Sequence, residues 1–403
     1  MSAESKARPP RRVAVVVTSR ASYARIRSVL SAIQQHPALE LQLILGASVL
    51  LERYGTAASV IEADGFTPDA RVYMILEGER PITMAKTTGL GVIELATVFS
   101  NLRPDVVLTV ADRYETLATA VAASYMNLPV AHVQGGEVTG SIDDKVRHAV
   151  TKLSDTHLVA NAAAARRVMQ MGERADSVHI TGCPSIDLAS LVRASGRHPR
   201  EFESAYAGVG PGLNLDRPYL IVLQHSVTTD YARGQVQIGE TLEAVEWLDI
   251  PTLWFWPNPD AGSDLVSKGL RVFREQGRGQ HVHFVKNLHP EEFLSLVMHA
   301  QCVVGNSSVG IRECSYLGVP VVNIGDRQRG RERGPNVVDV DYDSAEIVAA
   351  VEVQAQRGPF DSSDVYGDGH AGDRIAEALV SMSGAVGAEF VDAPAILLES
   401  EPT

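Results

Sequence analysis

Carboxylates gathered after two strand-like runs are the first chemistry this sequence offers. DVVLTV (Asp105–Val110) runs into ADRYE, which sets Asp112 and Arg113 at a strand end. PVAHV (Pro129–Val133) runs into QGGEVTGSIDDKVRHAVTKL, which collects Gln134, Glu137, Asp143 and Asp144 after one strand. Crowded carboxylates push one another's pKa values apart, and that separation lets one act as acid while another acts as base. Gly135 and Gly136 allow a close backbone approach to a ligand. Ser141 or Asp143 is placed to cap the helix that carries Arg147 and His148. Capping accounts for one aspartate, but not for the whole group opposite Asp112.

The second half of the chain offers anion chemistry instead. CVVG (Cys302–Gly305) is followed by NSSVGIRE, so Asn306, Ser307 and Ser308 stand where a helix begins. Free backbone N–H groups and hydroxyls converge there on a phosphate. Glu313, one to two turns along, can accept from ribose hydroxyls. VPVVNIG (Val319–Gly325) leads into DRQRGRERG, whose Arg327, Arg329, Arg331 and Arg333 form the one dense basic cluster of the sequence. LQHSVTTD puts His225 after another strand, and TSRASYAR presents Arg20 after the first. A serine cap, a solvated arginine run and a core histidine are each ordinary features. Their shared position at strand ends points to a diphosphate.

These groups need parallel strands to bring them to one edge. RVAVVV (Arg12–Val17), LQLILG (Leu41–Gly46), DVVLTV, PVAHV and HLVA (His157–Ala160) read as buried strands. Helical periodicity separates them, as in Ile82–Leu102. The segment Arg197–Pro218, rich in Gly, Pro and charge, reads as an inter-domain connection. The rhythm then restarts with YLIVLQ (Tyr219–Gln224), TLWFW (Thr252–Trp256), VHFVK (Val282–Lys286), CVVG and VPVVNIG. With 403 residues the chain exceeds what one core usually serves. The expectation is an α/β protein of two doubly wound domains facing across a ligand cleft. Residues 1–11 are expected as a disordered head, 12–200 and 201–381 as the domains, and 382–403 as a fraying tail.

Several classes are excluded. A net charge of −13 argues against a nucleic-acid partner, which needs a basic face. No GxGxxG follows the first strand and no YxxxK pair occurs, so no NAD cofactor is expected. Cys183, Cys302 and Cys314 show neither CxxC nor His-rich spacing, so no metal or disulfide framework is expected. The polar start is followed by an apolar run too short for a signal peptide, and no stretch approaches the length of a membrane span. The expected compartment is the cytoplasm, with no membrane partner.

At these motifs the chain resembles the UDP-N-acetylglucosamine 2-epimerase family, in its hydrolysing branch. The segments QGGEVTGSIDDKVRHAVTKLSD, TGCPSID (Thr181–Asp187), LQHSVTTD, VVGNSSVGIRECSYLGVPVVNIGDRQRGRERG and YGDG carry the resemblance, in order and over nearly the whole chain. It implies a GT-B fold of two Rossmann-like domains, with the last helix crossing back to the first. It implies a UDP-sugar substrate, no cofactor, and a homodimer or homotetramer. Ser307, Ser308 and Glu313 match the family's phosphate and ribose contacts, with Arg20, His225 and Arg327 around the diphosphate; Arg113, Glu137 and Asn306 are further candidates for substrate binding. Asp112 and Asp143 match acid–base positions, and Gln134 stands where the family has a third carboxylate; with His225 these form the candidate catalytic set. The implied reaction is elimination of UDP across C1–C2, followed by addition of water to release N-acetylmannosamine. Return of UDP would give the non-hydrolysing outcome, UDP-N-acetylmannosamine. The chain departs from the family pattern at Ser22, at GASVL (Gly46–Leu50) and at Gln134, all on the first-domain side. A GT-B glycosyltransferase and a silent UDP-sugar-binding protein are the readings from other classes.

Overall fold

A computed structural model describes residues 9–51, 57–76, 81–110, 113–139, 142–199, 208–227, 230, 233–257, 262–285, 288–383, 387 and 390–391. Asp112 and Ser141 lie outside the described residues. The β-branched runs form strands and the longer periodic segments form helices, in strict alternation. The first half builds β1 (Arg11–Val17), α1 (Arg20–Gln35), β2 (Leu39–Gly46), α2 (Ala57–Ala63), β3 (Ala70–Val72), α3 (Pro81–Leu102) and β4 (Val106–Val110). It continues with α4 (Tyr114–Tyr125), β5 (Val130–Val133), α5 (Ile142–Lys152), β6 (Thr156–Val159), α6 (Ala162–Gln170), β7 (Val178–Ile180) and α7 (Pro184–Ser195). The second half builds β8 (Gly208–Val209), β9 (Leu220–Leu223), α8 (Gly234–Leu248), β10 (Thr252–Phe255), α9 (Ser263–Glu275), β11 (Val282–Val285) and α10 (Pro290–His299). It ends with β12 (Cys302–Gly305), α11 (Ser308–Ile311), α12 (Glu313–Leu317), β13 (Val321–Ile324), β14 (Val337–Val340), α13 (Ser344–Arg357) and α14 (Ala371–Ser381).

Among the described residues the strands form two sheets, ordered β3-β2-β1-β4-β5-β6-β7 and β14-β13-β12-β9-β10-β11-β8. Pairing is parallel throughout, except that β8 runs antiparallel to β11. Parallel strands covered on both faces need apolar residues on both faces. Val13, Val15 and Val17 accordingly join Ile26 and Leu30 of α1 in one core, while Ala14 and Val16 join Leu95 and Phe99 of α3 in another. The second sheet divides likewise, with Val222, Trp254 and Val304 on one face and Ile221, Leu253 and Val303 on the other. Strand order reverses between β1 and β4 in the first domain and between β9 and β12 in the second. Ligand crevices open at such switch points.

The last helix returns to the first domain. Ile375, Ala376, Ala378 and Leu379 of α14 belong to the core that holds β1 and α1. Asp187 of α7 fixes its start, accepting from the backbone N–H of Ala371 at 2.9 Å and of Gly372 at 2.7 Å. Cys183 N–H donates to the Tyr366 carbonyl at 2.8 Å, and a Cβ at Gly367 (φ +122°) would fall 3.1 Å from Gly182 Cα. The TGCPSID and YGDG segments are thus fasteners for this crossing.

The tail is not wholly frayed: Arg11 donates to the Met382 carbonyl at 2.8 Å, and Val391 N–H to the Gly172 carbonyl at 3.0 Å. Lys152 Nζ lies 5.2 Å from the Phe390 ring centroid. Strands β3, β7, β8 and β14 were not expected. They are two to four residues long, and β8 sits inside the supposed connecting segment, where it closes the sheet edge. Helix α3, at 22 residues, is also long and apolar enough by length and composition to cross a membrane, contrary to the reading of its sequence. Here its Leu95 and Phe99 are buried against the first sheet.

Candidate active site

The second-domain wall is built by contacts between neighbouring strands. Gly305 ends β12 with φ +134°, and a Cβ there would fall 2.3 Å from the Leu223 carbonyl oxygen of β9. Glycine is required for that close approach. Asn306 then bridges the switch point: its Oδ1 accepts from His225 N–H at 2.8 Å and its Nδ2 donates to the His225 carbonyl at 2.9 Å. Its own carbonyl accepts from Arg327 at 3.1 Å and from Gln328 at 2.9 Å. Ser307 is the N-cap of α11, its hydroxyl accepting from Val309 N–H at 3.4 Å. That helix breaks after four residues at Arg312, and Glu313 opens α12.

The first-domain wall comes from α1, from α7 and from the segment after β5. Ser19 caps α1, and Ser22 closes a reciprocal capping box with it. This cap puts Arg20 at the first helical position, facing the cleft. Arg20 is half-buried at the cleft, and its buried Nη1 has no partner among the described residues. Burial brings its pKa down to about 10. A cation held out of water without an anion is unfavourable, so this side chain is poised for one. Arg25, one turn on, donates to the Ser308 hydroxyl across the cleft at 3.1 Å. Thr139 is held by Asp144, which accepts from its N–H at 2.8 Å and its hydroxyl at 2.7 Å. Asp143, in the first turn of α5, faces the same space.

The cleft between these walls encloses a cavity of about 190 Å³ that opens to solvent. It brings together Arg20, Asp143, His225, Ser307, Ser308, Glu313 and Arg327 from the expected set. Glu313 has a buried Oε2 without a partner among the described residues. One end is apolar, with Phe255, Trp256, Leu288, Phe293 and Leu294. Such a surface suits a planar base, and the cations suit the phosphates.

Other expected residues sit elsewhere. Arg113 caps α4 and turns to Glu115, at 3.2 Å, instead of lining the cleft. Asn306 contributes as a strap within the second domain, fully buried. Gln134, with φ +68° and 1% exposed, donates to Cys183 Sγ at 2.9 Å and does not line the cleft. Glu137 is likewise 1% exposed, taken up by Arg312 at 2.5 Å and Arg331 at 3.1 Å. Burial pushes Glu137 up, but the charges of Arg312, Arg331 and Arg147 outweigh it and hold the carboxyl at about 2. Its Oε2 is thus the centre of an ion-pair group, and it does not line the cleft. Gly135 and Gly136 also serve packing, not a ligand: a Cβ at Gly136 (φ +74°) would meet the Ala164 carbonyl of α6 at 2.2 Å. Of the four clustered arginines, Arg327 and Arg331 line the cleft, whereas Arg333 pairs with Asp339 at 3.0 Å.

Two departures from the family pattern have structural uses. Ser22 completes the capping box, and Ser48 donates to the Thr18 carbonyl at 3.0 Å, tying the end of β2 to that of β1. The sequence reading missed Arg25, Thr139 and the aromatic end. Trp256 closes a strand-like run, and Pro290, Phe293 and Leu294 share helical spacing, so a signal for that apolar end was present. Among the described residues no group of three His, Cys, Asp or Glu stands close enough to hold a metal ion.

The family model for UDP-N-acetylglucosamine 2-epimerase matches residues 31–380. The chain belongs to that family. It is 31% identical to a hydrolysing UDP-N,N'-diacetylbacillosamine 2-epimerase of Legionella pneumophila, over 92% of this chain and 95% of that protein. It is 30% identical to a UDP-N-acetylglucosamine 2-epimerase of Neisseria meningitidis, again over 92% and 95%. The fold is that of the crystallised Neisseria meningitidis UDP-GlcNAc 2-epimerase bound to UDP-GlcNAc, with a TM-score of 0.77 at 18% identity, covering 92% of this chain and 100% of that one. The two halves are therefore the Rossmann-like domains of a GT-B-like architecture.

Proposed function

We propose that the chain eliminates UDP across C1–C2 of a UDP-2-acetamido sugar and adds water to the glycal-like intermediate. UDP-N-acetylglucosamine going to UDP and N-acetylmannosamine is the main reading. The observation that carries it is Arg20, whose buried Nη1 has no partner among the described residues, opposite the Ser307–Ser308 helix start in a cleft that Asp143 also lines. The C2 proton is weakly acidic while a diphosphate must depart, so the reaction calls for a carboxylate base and a cationic leaving-group pocket. Asp143 and Asp112 supply the acid–base pair in this reading. Arg20, His225 and Arg327 meet the diphosphate, Glu313 meets the ribose, and Phe255, Trp256 and Phe293 receive the base.

Hydrolysis is favoured over return of UDP by two relatives described as hydrolysing, at 31% and 29% identity. Those relatives also make UDP-N,N'-diacetylbacillosamine the alternative substrate. The reading sets the enzyme in the cytoplasm, where its three cysteines stay as free, buried thiols. Incubation with each nucleotide sugar alone, followed by proton NMR of the products, tests the proposal. Free 2-epimerised sugar and UDP are expected. Turnover that requires an acceptor would make the chain a glycosyltransferase, and binding without product would make it a sensor.

A further inference from the structure

We propose that Glu137 is a positioning residue that ties the acid–base loop of the first domain to the nucleotide-holding segments of the second. The inference rests on the reading of the cleft just given. Glu137 lies between the end of β5 and Thr139, on the segment that leads to Asp143, and both Thr139 and Asp143 line the cleft. Its carboxylate crosses the domain boundary to Arg312, at 2.5 Å, and Arg331, at 3.1 Å. Its own carbonyl is gripped by Arg147 of α5 at 2.7 Å, which also pairs with Asp144 at 2.5 Å. The backbone of Glu137 is thereby locked to the helix that presents Asp143.

The two partners are placed where movement matters. Arg312 is the break between α11 and α12, with φ −98° and ψ −72°, so it sits between the cleft residues Ser308 and Glu313. Arg331 lines the cleft itself, four residues after Arg327. One carboxylate of the first domain thus holds both basic segments that shape the nucleotide side. Arg312 and Glu137 are each 1% exposed, so opening this contact leaves charges in a dry environment. A second pair across the boundary, Arg167 with Glu332 at 2.7 Å, lies next to Arg331 in sequence and reinforces the same edge.

Glu137→Gln keeps the side-chain shape and removes the charge. The expected result is a fall in kcat of about 10–100-fold, the scale of an ångström-sized misplacement, with the UDP dissociation constant changed by less than about threefold. Arg312→Lys, which keeps charge and loses the forked geometry, is expected to give the same split; it serves if Glu137→Gln does not fold. Small-angle scattering of the UDP-bound proteins is expected to show a larger radius of gyration for the variants. Wild-type kcat in soluble Arg312→Lys or Glu137→Gln would overturn the proposal. So would a parallel loss of kcat, UDP affinity and melting temperature, which marks a structural residue. A wild-type protein inactive on UDP-2-acetamido sugars defeats the functional reading alone. The scattering comparison still decides the tie, with equal radii for wild type and variants counting against it.

Discussion

The two walls of the cleft are held in different ways. On the second-domain wall three polar groups are fixed within their own domain: Asn306 bonds His225 beyond the adjacent strand, Ser307 caps the helix it begins, and Arg327 bonds Asn306. On the first-domain wall the segment after β5 is fixed from far away, Gln134 by Cys183 and Glu137 by Arg312 and Arg331 of the other domain. These contacts of the proposed nucleotide wall lie within one domain, whereas the segment after β5 is anchored across the domain boundary. Damage to Ser307, Ser308 or Arg327 should appear as lost binding, and damage to the segment after β5 as lost turnover.

Asp143→Asn carries the largest expected effect. Asparagine keeps the shape but cannot take a proton, so kcat should fall about 10²–10⁴-fold, while calorimetry finds UDP affinity unchanged. Retained turnover would make Asp143 a helix-terminal charge and no more. Arg20→Gln comes next and acts in two directions. Loss of a charge-assisted contact worth roughly 1.5–3 kcal/mol should weaken UDP-sugar binding about 10–150-fold. The unliganded variant should melt slightly higher, because a half-buried guanidinium whose Nη1 has no partner among the described residues is gone.

Acidification tests the distant wall. The folded-state pKa of Glu137, about 2, lies below its ordinary 4.5. Its contribution to stability is therefore present above the ordinary value and is lost as pH falls toward the folded value. Urea midpoints measured between about pH 6 and pH 2 should decline less steeply in Glu137→Gln than in wild type. Ser308→Ala is the smallest change. The hydroxyl is one of several groups at that helix start, so UDP affinity should drop by about 1 kcal/mol, with kcat preserved.

The same division decided what could be read before the structure. Alternating apolar runs were enough for two doubly wound domains, because a parallel sheet buried on both faces leaves that pattern in the sequence. The meeting of Ser307, Ser308 and Glu313 at the cleft was legible because strand end and helix start adjoin in sequence. The ion pair of Glu137 was not legible, since its partner Arg312 is 175 residues away. The bond of Gln134 was hidden for the same reason: Cys183, which takes its amide, belongs to a distant helix start. Strands β3, β7 and β14 escaped notice because three or four residues show no resolvable alternation. Arg113 followed a strand as expected, but among the described residues it pairs with Glu115.

The most direct test of the account is turnover of UDP-N-acetylglucosamine in deuterium oxide, followed by proton NMR. Removal of the C2 proton by a carboxylate, loss of UDP, and reprotonation on the opposite face should place solvent deuterium at C2 of the released N-acetylmannosamine. UDP should accumulate in equal amount, with no acceptor added. Released sugar that retains its C2 proton, or UDP formed with the sugar still in its original configuration, would contradict elimination across C1–C2 and with it the roles assigned to the two walls.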